Sequence, residues 1–253
     1  MNMQECGLKY AISCMLVSER RELLLERLRR DGKLIARDLA SELGISEDSV
    51  RRDLRDLAAA GLCQRVYGGA VPFSRALADY AARGAVEPES KRRVADHAVA
   101  LIRPGGRVIL DGGTTTLAVA RALPADLEAT VITHSPTIAA ALVPHPSVEI
   151  LLLGGRIYKH SAVACGAATV EAAAAVTADL FLLGVTGVHA EHGLTTGDPE
   201  EAAMKRALSA RAAETFVLAS AEKLGAVSAY KVLELSDVTG VVTESGLLDP
   251  VEL

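Results

Sequence analysis

Residues 39–70 constrain this chain more than any other stretch: LASELGISEDSVRRDLRDL, followed directly by AAAGLCQRVYGGA. Leu39, Ala40 and Leu43 recur at helical spacing and stop at Gly44, a residue suited to the positive φ of a tight turn. Ile45 plugs that turn. Ser46 stands as N-cap of a following helix, with Glu47 and Asp48 in a first turn whose dipole favours carboxylates. At about 100° per residue, Val50, Leu54 and Leu57 share one narrow face, and Arg51, Arg52 and Arg55 fall opposite. Upstream, residues 19–30 form a helix that packs through Leu23, Leu24 and Leu28 and ends at Asp31-Gly32. Downstream, Gly61-Leu62 and Arg65-Val66-Tyr67-Gly68-Gly69 read as two short strands meeting at a turn. The pattern predicts a winged helix-turn-helix over residues 18–72.

Three guanidiniums presented by a helix anchored on aliphatics suit a major groove, because arginine bonds guanine bidentately or grips phosphate. The expected DNA-contacting set is Ser46, Ser49, Arg51, Arg52, Arg55, Arg65, Tyr67 and Gly68. A competing reading pairs these arginines with Asp48, Asp53 and Asp56 on a merely solvated helix. The glycine turn before the helix and the wing after it argue against that.

The net charge of −5 would speak against nucleic acid if it were uniform. It is not. Residues 18–75 carry 12 Lys/Arg against 10 Asp/Glu, whereas residues from 76 onward carry 14 against 21. A mildly basic head on an acidic body is compatible with a local phosphate-binding patch. Half of the residues are hydrophobic but only 3% are aromatic, so the core must be built from Ala, Leu and Val. Cys6, Cys14, Cys63 and Cys165 show no metal-ligand spacing, which implies reduced thiols, a cytoplasmic setting and no metal site. No apolar run approaches the ~20 residues that span a bilayer, so no membrane partner is expected. Residues 1–17 read as an N-terminal extension in which Met15 offers an alternative translation start.

Residues 73–90, flanked and punctuated by Pro72 and Pro88, read as a hinge with a short alanine-rich helix over 75–83. From Lys91 to the end, helix and strand alternate. An amphipathic helix at 92–102 precedes apolar runs at 107–110, 130–133, 148–153, 179–185 and 215–219, with Ala-rich helices between them. The fold class is therefore α/β: the N-terminal winged helix-turn-helix plus a C-terminal Rossmann-like sensor domain over 91–253, with ligands expected beyond the carboxyl ends of parallel strands. Asp111-Gly112-Gly113-Thr114-Thr115-Thr116 follows one strand and opens a helix over 117–123, offering hydroxyls and helix N–H groups to an anion. Other strand ends bring Thr133-His134-Ser135, Gly154-Gly155-Arg156 and Gly184-Val185-Thr186-Gly187, with Lys205 and Lys223 beyond. Taken singly, each lysine fits a surface residue and the glycine turn fits a plain connection. Together they favour a phosphorylated ligand held by Asp111, Gly113, Thr114, Thr115, Thr116, Thr133, His134, Gly154, Gly184, Thr186, Lys205 and Lys223.

Through LASELGIS, SVRRDL and GLCQRVYGGA, in order and at matching spacing, the chain resembles the DeoR family of bacterial transcription regulators over roughly residues 19–243. The resemblance implies a sensor similar to ribose-5-phosphate isomerase that binds sugar phosphates. In it, residues 111–116 match an Asp-x-Gly-Thr-Thr phosphate cradle, Glu201 and Lys205 match a Glu-x-x-x-Lys helix, and Lys223 matches a Ser-Lys element. The chain departs from the family pattern at several places: Ser49 for Thr, Tyr67 for His, Ile35 where a hydroxyl cap is usual, His134 for Asn, and Ser220 for Asp. The implied function is repression of a sugar-catabolic operon, controlled by a phosphorylated sugar, with double-stranded operator DNA as partner, no cofactor and no catalytic residue.

The alternative is an aldose–ketose isomerase. That chemistry needs a positioned carboxylate base, and residues 184–189 carry none where the isomerase pattern has Gly-x-Asp-Glu-x-Asp. His189 is expected on a surface loop beside Glu191 and His192, leaving an acid-free cleft that binds without turnover. A third class, an architectural DNA binder without ligand, conflicts with the glycines and threonines at the strand ends. One short recognition helix reads too few base pairs for specificity, so a homodimer or homotetramer is expected.

Overall fold

The computed structural model describes residues 16–31, 33–60, 62–66, 68–72 and 80–250. Cys6, Cys14, Met15, Gly61, Tyr67 and the expected helix residues 75–79 lie outside them. The head comprises α1 (Val17–Asp31), β1 (Leu34–Ile35), α2 (Ala36–Leu43), α3 (Glu47–Ala59), β2 (Cys63–Val66) and β3 (Gly69–Pro72). Gly44 ends α2 at φ 63°, and the Ser46 hydroxyl caps α3 by accepting from the Ser49 amide. Leu24 and Leu28 of α1 meet Leu39 and Ala40 of α2 and Val50, Leu54 and Leu57 of α3 in one core. Ile45 packs at its edge. The wing strands pair antiparallel, and β1 adds a third strand to them in the order β1-β3-β2. Ile35 opens α2 without a side-chain cap.

After the wing, the expected hinge behaves otherwise than its composition suggested. Residues 80–90 lie against the body: α4 (Tyr80–Gly84) is followed by α5 (Pro88–Val99), and Glu87 caps α5 in a left-handed conformation at φ 44°. The Tyr80 hydroxyl lies 2.9 Å from that of Thr137. Alanine and proline set the local texture here, but side-chain contacts set the position.

The body is built on β4 (Arg107–Leu110), β5 (Ala129–Thr133), β6 (Val148–Leu152), β9 (Ala178–Gly184), β12 (Ala212–Leu218), β14 (Gly240–Thr243) and β15 (Gly246–Leu248). Their order is β15-β14-β12-β9-β4-β5-β6, all parallel except the edge strand β15. Side chains alternate along each strand. Val108, Leu110, Val131, Leu180, Leu182 and Leu218 face α5, α6 (Thr114–Ala122) and α7 (Pro136–Leu142). Ile109, Ile132, Phe181, Leu183 and Val217 face the opposite side, where Ala173 of α8 (Ala167–Ala174) and Met204 and Leu208 of α9 (Pro199–Ser209) cover them. The parallel strands 107–110, 130–133, 148–153, 179–185 and 215–219 thus appear within a residue or so of expectation at most ends. The main-sheet strands β14 and β15 and the short pieces β7 (Arg156–Tyr158), β8 (Val163–Cys165), β10 (Gly187–His189), β11 (Gly193–Thr196) and β13 (Tyr230–Leu233) were not expected.

Chain order reverses between β4 and β9: from β4 the sheet grows through β5 and β6, and beyond β9 through β12 and β14. Parallel sheets leave a crevice at such a point, beyond the strands' carboxyl ends. His189 corrects its expectation. It lies in β10, is only 9% exposed, and stacks on His192 at 4.7 Å between ring centres. His192 Nε2 donates to the carbonyl of Asp31 at 3.0 Å, so the head touches the body there. Among the described residues, no helix is long and apolar enough to cross a membrane.

Candidate functional site

On the head, the three arginines of α3 are not equivalent. Arg51 leans back to Glu47, four residues earlier, at 3.0 and 2.6 Å. Arg52 and Arg55 are exposed, and among the described residues neither makes an ion pair. Two of the three aspartates that competed for them are held from below, while Asp48 stays exposed in the first turn of α3. Asp53 is 2% exposed and accepts from Arg20 at 2.6 Å and Arg21 at 3.4 Å, while Asp56 pairs with Arg21. Two arginines of α1 therefore offset Asp53 and Asp56 and leave Arg52 and Arg55 unopposed by them on the outer face. Ser46 and Ser49 are spent on the cap, their hydroxyls 2.9 Å apart. Arg65 and Gly68 lie exposed in the wing, and the Gly68 carbonyl accepts from the Ala36 amide at 2.8 Å. Tyr67 is outside the described residues.

In the body, Asp111 ends β4 and is fully buried. Its carboxylate accepts from the amides of Gly112 at 2.8 Å and Gly184 at 2.9 Å, from His134 Nε2 at 2.8 Å, and from Lys205 Nζ at 2.6 Å. It thereby ties β4, β5, β9 and α9 together at the switch point. Burial alone would raise this carboxyl, but the Lys205 charge and the His134 bond outweigh it and bring it down to about 2. Lys205 is held above the ordinary lysine range: burial works against its charge, and Asp111 and Glu201 more than offset it. His134 Nδ1 reaches the Ala164 carbonyl at 2.8 Å.

Over this buried base opens a cleft lined by Gly113, Thr114, Thr115, Thr116, Gly184 and Thr186, with Lys205 and Lys223 in its walls. Gly113 caps α6 without a side chain, so the first amides of that helix face the cleft with no hydroxyl or carboxylate to satisfy them. Lys223, 5% exposed, donates to the Thr115 hydroxyl at 3.0 Å and to the Leu218 carbonyl at 3.1 Å. Burial pushes it down to about 8; Glu222 opposes this and the charges of Lys91, Arg83 and Lys205 add to it. The Thr186 hydroxyl reaches the Thr195 carbonyl at 3.1 Å and the Ser228 hydroxyl at 2.7 Å.

Four of the sequence-derived candidates stand elsewhere. Asp111, Thr133 and His134 lie wholly buried outside the cleft lining. Gly154 is exposed and apart from it, its carbonyl accepting from Thr169 at 3.0 Å. The cleft is also not acid-free. Glu201 enters its wall, with one oxygen accepting from Thr196 at 2.9 Å and the other 3.4 Å from Lys205. Glu222 joins it too: Ser220 donates to Oε1 at 2.8 Å, while Oε2 is buried without a hydrogen-bond partner among the described residues.

Arg83, Val86, Lys91, Ser161 and Thr196 also line it, and sequence reasoning missed them. Arg83 sits inside what composition marked as hinge and Lys91 directly after it. A lysine at the start of an amphipathic helix was the available signal for Lys91. Cys63 and Cys165 are buried and free, and burial drives the Cys165 thiol up to about 12, which leaves it inert. No three His, Cys, Asp or Glu side chains gather as metal ligands among the described residues.

Residues 20–76 match the family described as the DeoR-like helix-turn-helix domain, and residues 86–245 match the DeoR C terminal sensor domain. The HTH-type transcriptional repressor GlcR of Bacillus subtilis is 32% identical, the alignment covering 91% of this chain and 89% of that one. The HTH-type transcriptional regulator GlpR of Haloferax volcanii is 33% identical, over 93% and 92%. The glycerol-3-phosphate regulon repressor of Haemophilus influenzae is 30% identical, over 90% of each. Among solved structures, ribose 5-phosphate isomerase A of Methanocaldococcus jannaschii aligns at a TM-score of 0.41 and 19% identity, over 54% of each chain.

Proposed function

Because the chain belongs to the DeoR family of helix-turn-helix transcription regulators, we propose that it represses a sugar-catabolic operon and that a phosphorylated sugar or related metabolite in the cleft sets its grip on the operator. The observation that carries this reading is the anion end of the cleft: the uncapped start of α6, the Thr115 hydroxyl and the buried ammonium of Lys223 converge there. A phosphate dianion satisfies helix amides, neutralises the lysine and displaces little that is already bonded. The unsatisfied Oε2 of Glu222 then accepts from a sugar hydroxyl, which an inorganic anion cannot supply. That one relative is named for a glycerol-3-phosphate regulon agrees in kind with a phosphorylated polyol.

At the other end, Arg52 and Arg55 of α3 enter the major groove, and Arg65 of the wing meets the backbone alongside. A single head reads too little sequence, so two or four copies act together on repeated half-sites in the bacterial cytoplasm. The chain is a regulator rather than an enzyme. The turn at 184–189 has no carboxylate, and Glu201 is held by Thr196 and Lys205.

The test is a melting-temperature screen with glycerol 3-phosphate, glucose 6-phosphate, fructose 1-phosphate and ribose 5-phosphate, followed by binding to the DNA upstream of the gene. At least one compound is expected to raise Tm, weaken DNA binding tenfold or more and remain chemically unchanged. No response to any phosphate ester, or interconversion of the sugar, overturns the reading.

A further inference from the structure

We propose that Arg83 contacts the bound anion, and that residues 80–91 form a strap through which occupancy of the cleft reaches the DNA-binding head. This rests on the reading of the cleft as an anion site. Arg83 falls between the two family matches, which end at 76 and begin at 86.

The strap is fixed to the body at three places. Tyr80 shares a hydrogen bond with Thr137, Arg83 Nη2 donates to the His160 carbonyl at 2.7 Å, and the Ser90 hydroxyl oxygen accepts from the Ala221 amide at 3.2 Å. Lys91 Nζ ties the strap to itself, donating to the carbonyls of Arg83, at 2.6 Å, and of Val86. The Arg83 guanidinium also lies over the Tyr80 ring, 5.7 Å from its centre. All of these partners are neutral or point along the strap itself. The side chain of Arg83 is only 8% exposed and forms the cleft wall with Lys91, opposite Thr114, Thr115 and Lys223.

Four cations thus surround one small volume, two of them on the strap; Lys205 is paired with Asp111 and Glu201, and Glu222 stands beside the others. Lys91 and Lys223 are each held below the ordinary lysine range, first by burial; Glu222 opposes this, and the cationic neighbours push each further down. An anion in the cleft reverses that repulsion and binds strap to body through charge. Without it, hydrogen bonds and the attraction between Glu222 and Lys91 hold the strap down.

The strap also has a short lead to the head. Residues 73–79 alone separate the end of β3 from Tyr80, a reach of at most about 28 Å even if fully extended. A strap that docks or lifts therefore changes where the head can stand. An effector that binds the docked state more tightly shifts the population toward it, which is all that coupling requires.

The experiment uses the full chain, with inorganic phosphate and glucose 6-phosphate as probes. Calorimetry reads affinity, and amide hydrogen exchange reads residues 80–91. In the unaltered chain either probe is expected to slow exchange across 80–91 by threefold or more. Arg83→Gln keeps a donor for His160 yet loses the charge. It is expected to weaken anion binding about tenfold and to abolish the slowing even at saturation, with Arg83→Lys recovering part of both.

Wild-type affinity and strap protection in Arg83→Gln overturn the proposal. So does anion protection confined to residues 112–117 and 220–224, or the absence of binding by either probe. If Arg83→Gln melts early, Arg83→Lys carries the test, and full wild-type behaviour of Arg83→Ala at a temperature where it is folded overturns the proposal as well. The paired change Thr115→Ala and Lys223→Met examines the cleft itself. Undiminished anion binding there refutes the anion reading, whatever Arg83 does.

Discussion

Lys205 Nζ donates to the carboxylate of Asp111 over 2.6 Å, in a place where neither side chain meets solvent. The pair bridges 94 positions of sequence and pins α9 to the end of β4. Its two charges are satisfied only by each other and by the groups around them. Removing one partner strands the other in a medium that solvates it poorly.

Asp111→Asn and Lys205→Met are each expected to cost about 3–5 kcal/mol of unfolding free energy. Urea denaturation followed by circular dichroism measures this. The double variant Asp111→Leu, Lys205→Met should lose less than the sum of the two single losses, because neither charge is left facing an absent partner. Glu201, His134 and the amides of Gly112 and Gly184 still lose a bond in it. Single variants that lose less than about 1 kcal/mol would show that the pair does not hold the switch point together.

The same carboxyl sets an acid limit. Its folded value is about 2, below the ordinary ~3.9 of the unfolded chain. Its contribution is therefore complete above about pH 4 and is lost as pH falls from there toward 2. Stability measured from pH 6 to pH 2 should drop through that window, and the drop should be shallower in the apolar double variant.

Lys223 acts in the opposite direction, on ligand rather than on acid stability. Held near 8, it is charged below that pH and neutral above it. Phosphate-ester affinity is expected to rise as the ester becomes dianionic near pH 6 and to fall again above pH 8. Lys223→Met should lower the affinity and flatten the alkaline limb. An alkaline limb unchanged in that variant assigns it to another group.

On DNA, Arg52→Ala and Arg55→Ala should each weaken binding and, where the lost contact is to phosphate, reduce the salt slope by about 1. Arg51→Ala should cost less, since Glu47 already offsets its charge. Anisotropy titrations of the upstream DNA across salt concentrations separate the three. Equal losses at all three positions would mean that Arg51 leaves Glu47 on binding.

Gly69 offers a purely steric test. A Cβ at that position would lie 1.7 Å from the Leu34 carbonyl oxygen, where β1 meets β3. Gly69→Ala is expected to break that pairing and lower the melting temperature of the head, whereas the body, which shares no strand with it, should keep its phosphate response.

Much of the head was legible because its signals are local. A glycine stop, a serine cap and three aliphatics at helical spacing act within one or two turns, and they recur as Gly44, Ser46 and the face of Val50, Leu54 and Leu57. Five of the six parallel strands were legible for a similar reason, as apolar runs, most of them buried on both sides; β14, four residues long, was not. What stayed hidden depends on distance. Nothing near Asp111 announces Lys205, and nothing in the 79–84 stretch announces that Arg83 reaches a cleft wall. Short pairings such as β7 with β8 carry too few residues for a periodic signal. Gly154 shows the converse error: a glycine after a strand marks a turn, but not which side of the sheet the turn serves.

One practical consequence follows from the placement of residues 80–91, which belong to the head by chain continuity and to the body by contact. A hybrid that borrows a foreign DNA-reading module must be spliced upstream of Tyr80. Joined there, the donor module inherits the whole signalling apparatus. Joined at Pro88, where composition invites the cut, the hybrid would lack Arg83, bind its metabolite weakly and be deaf to it.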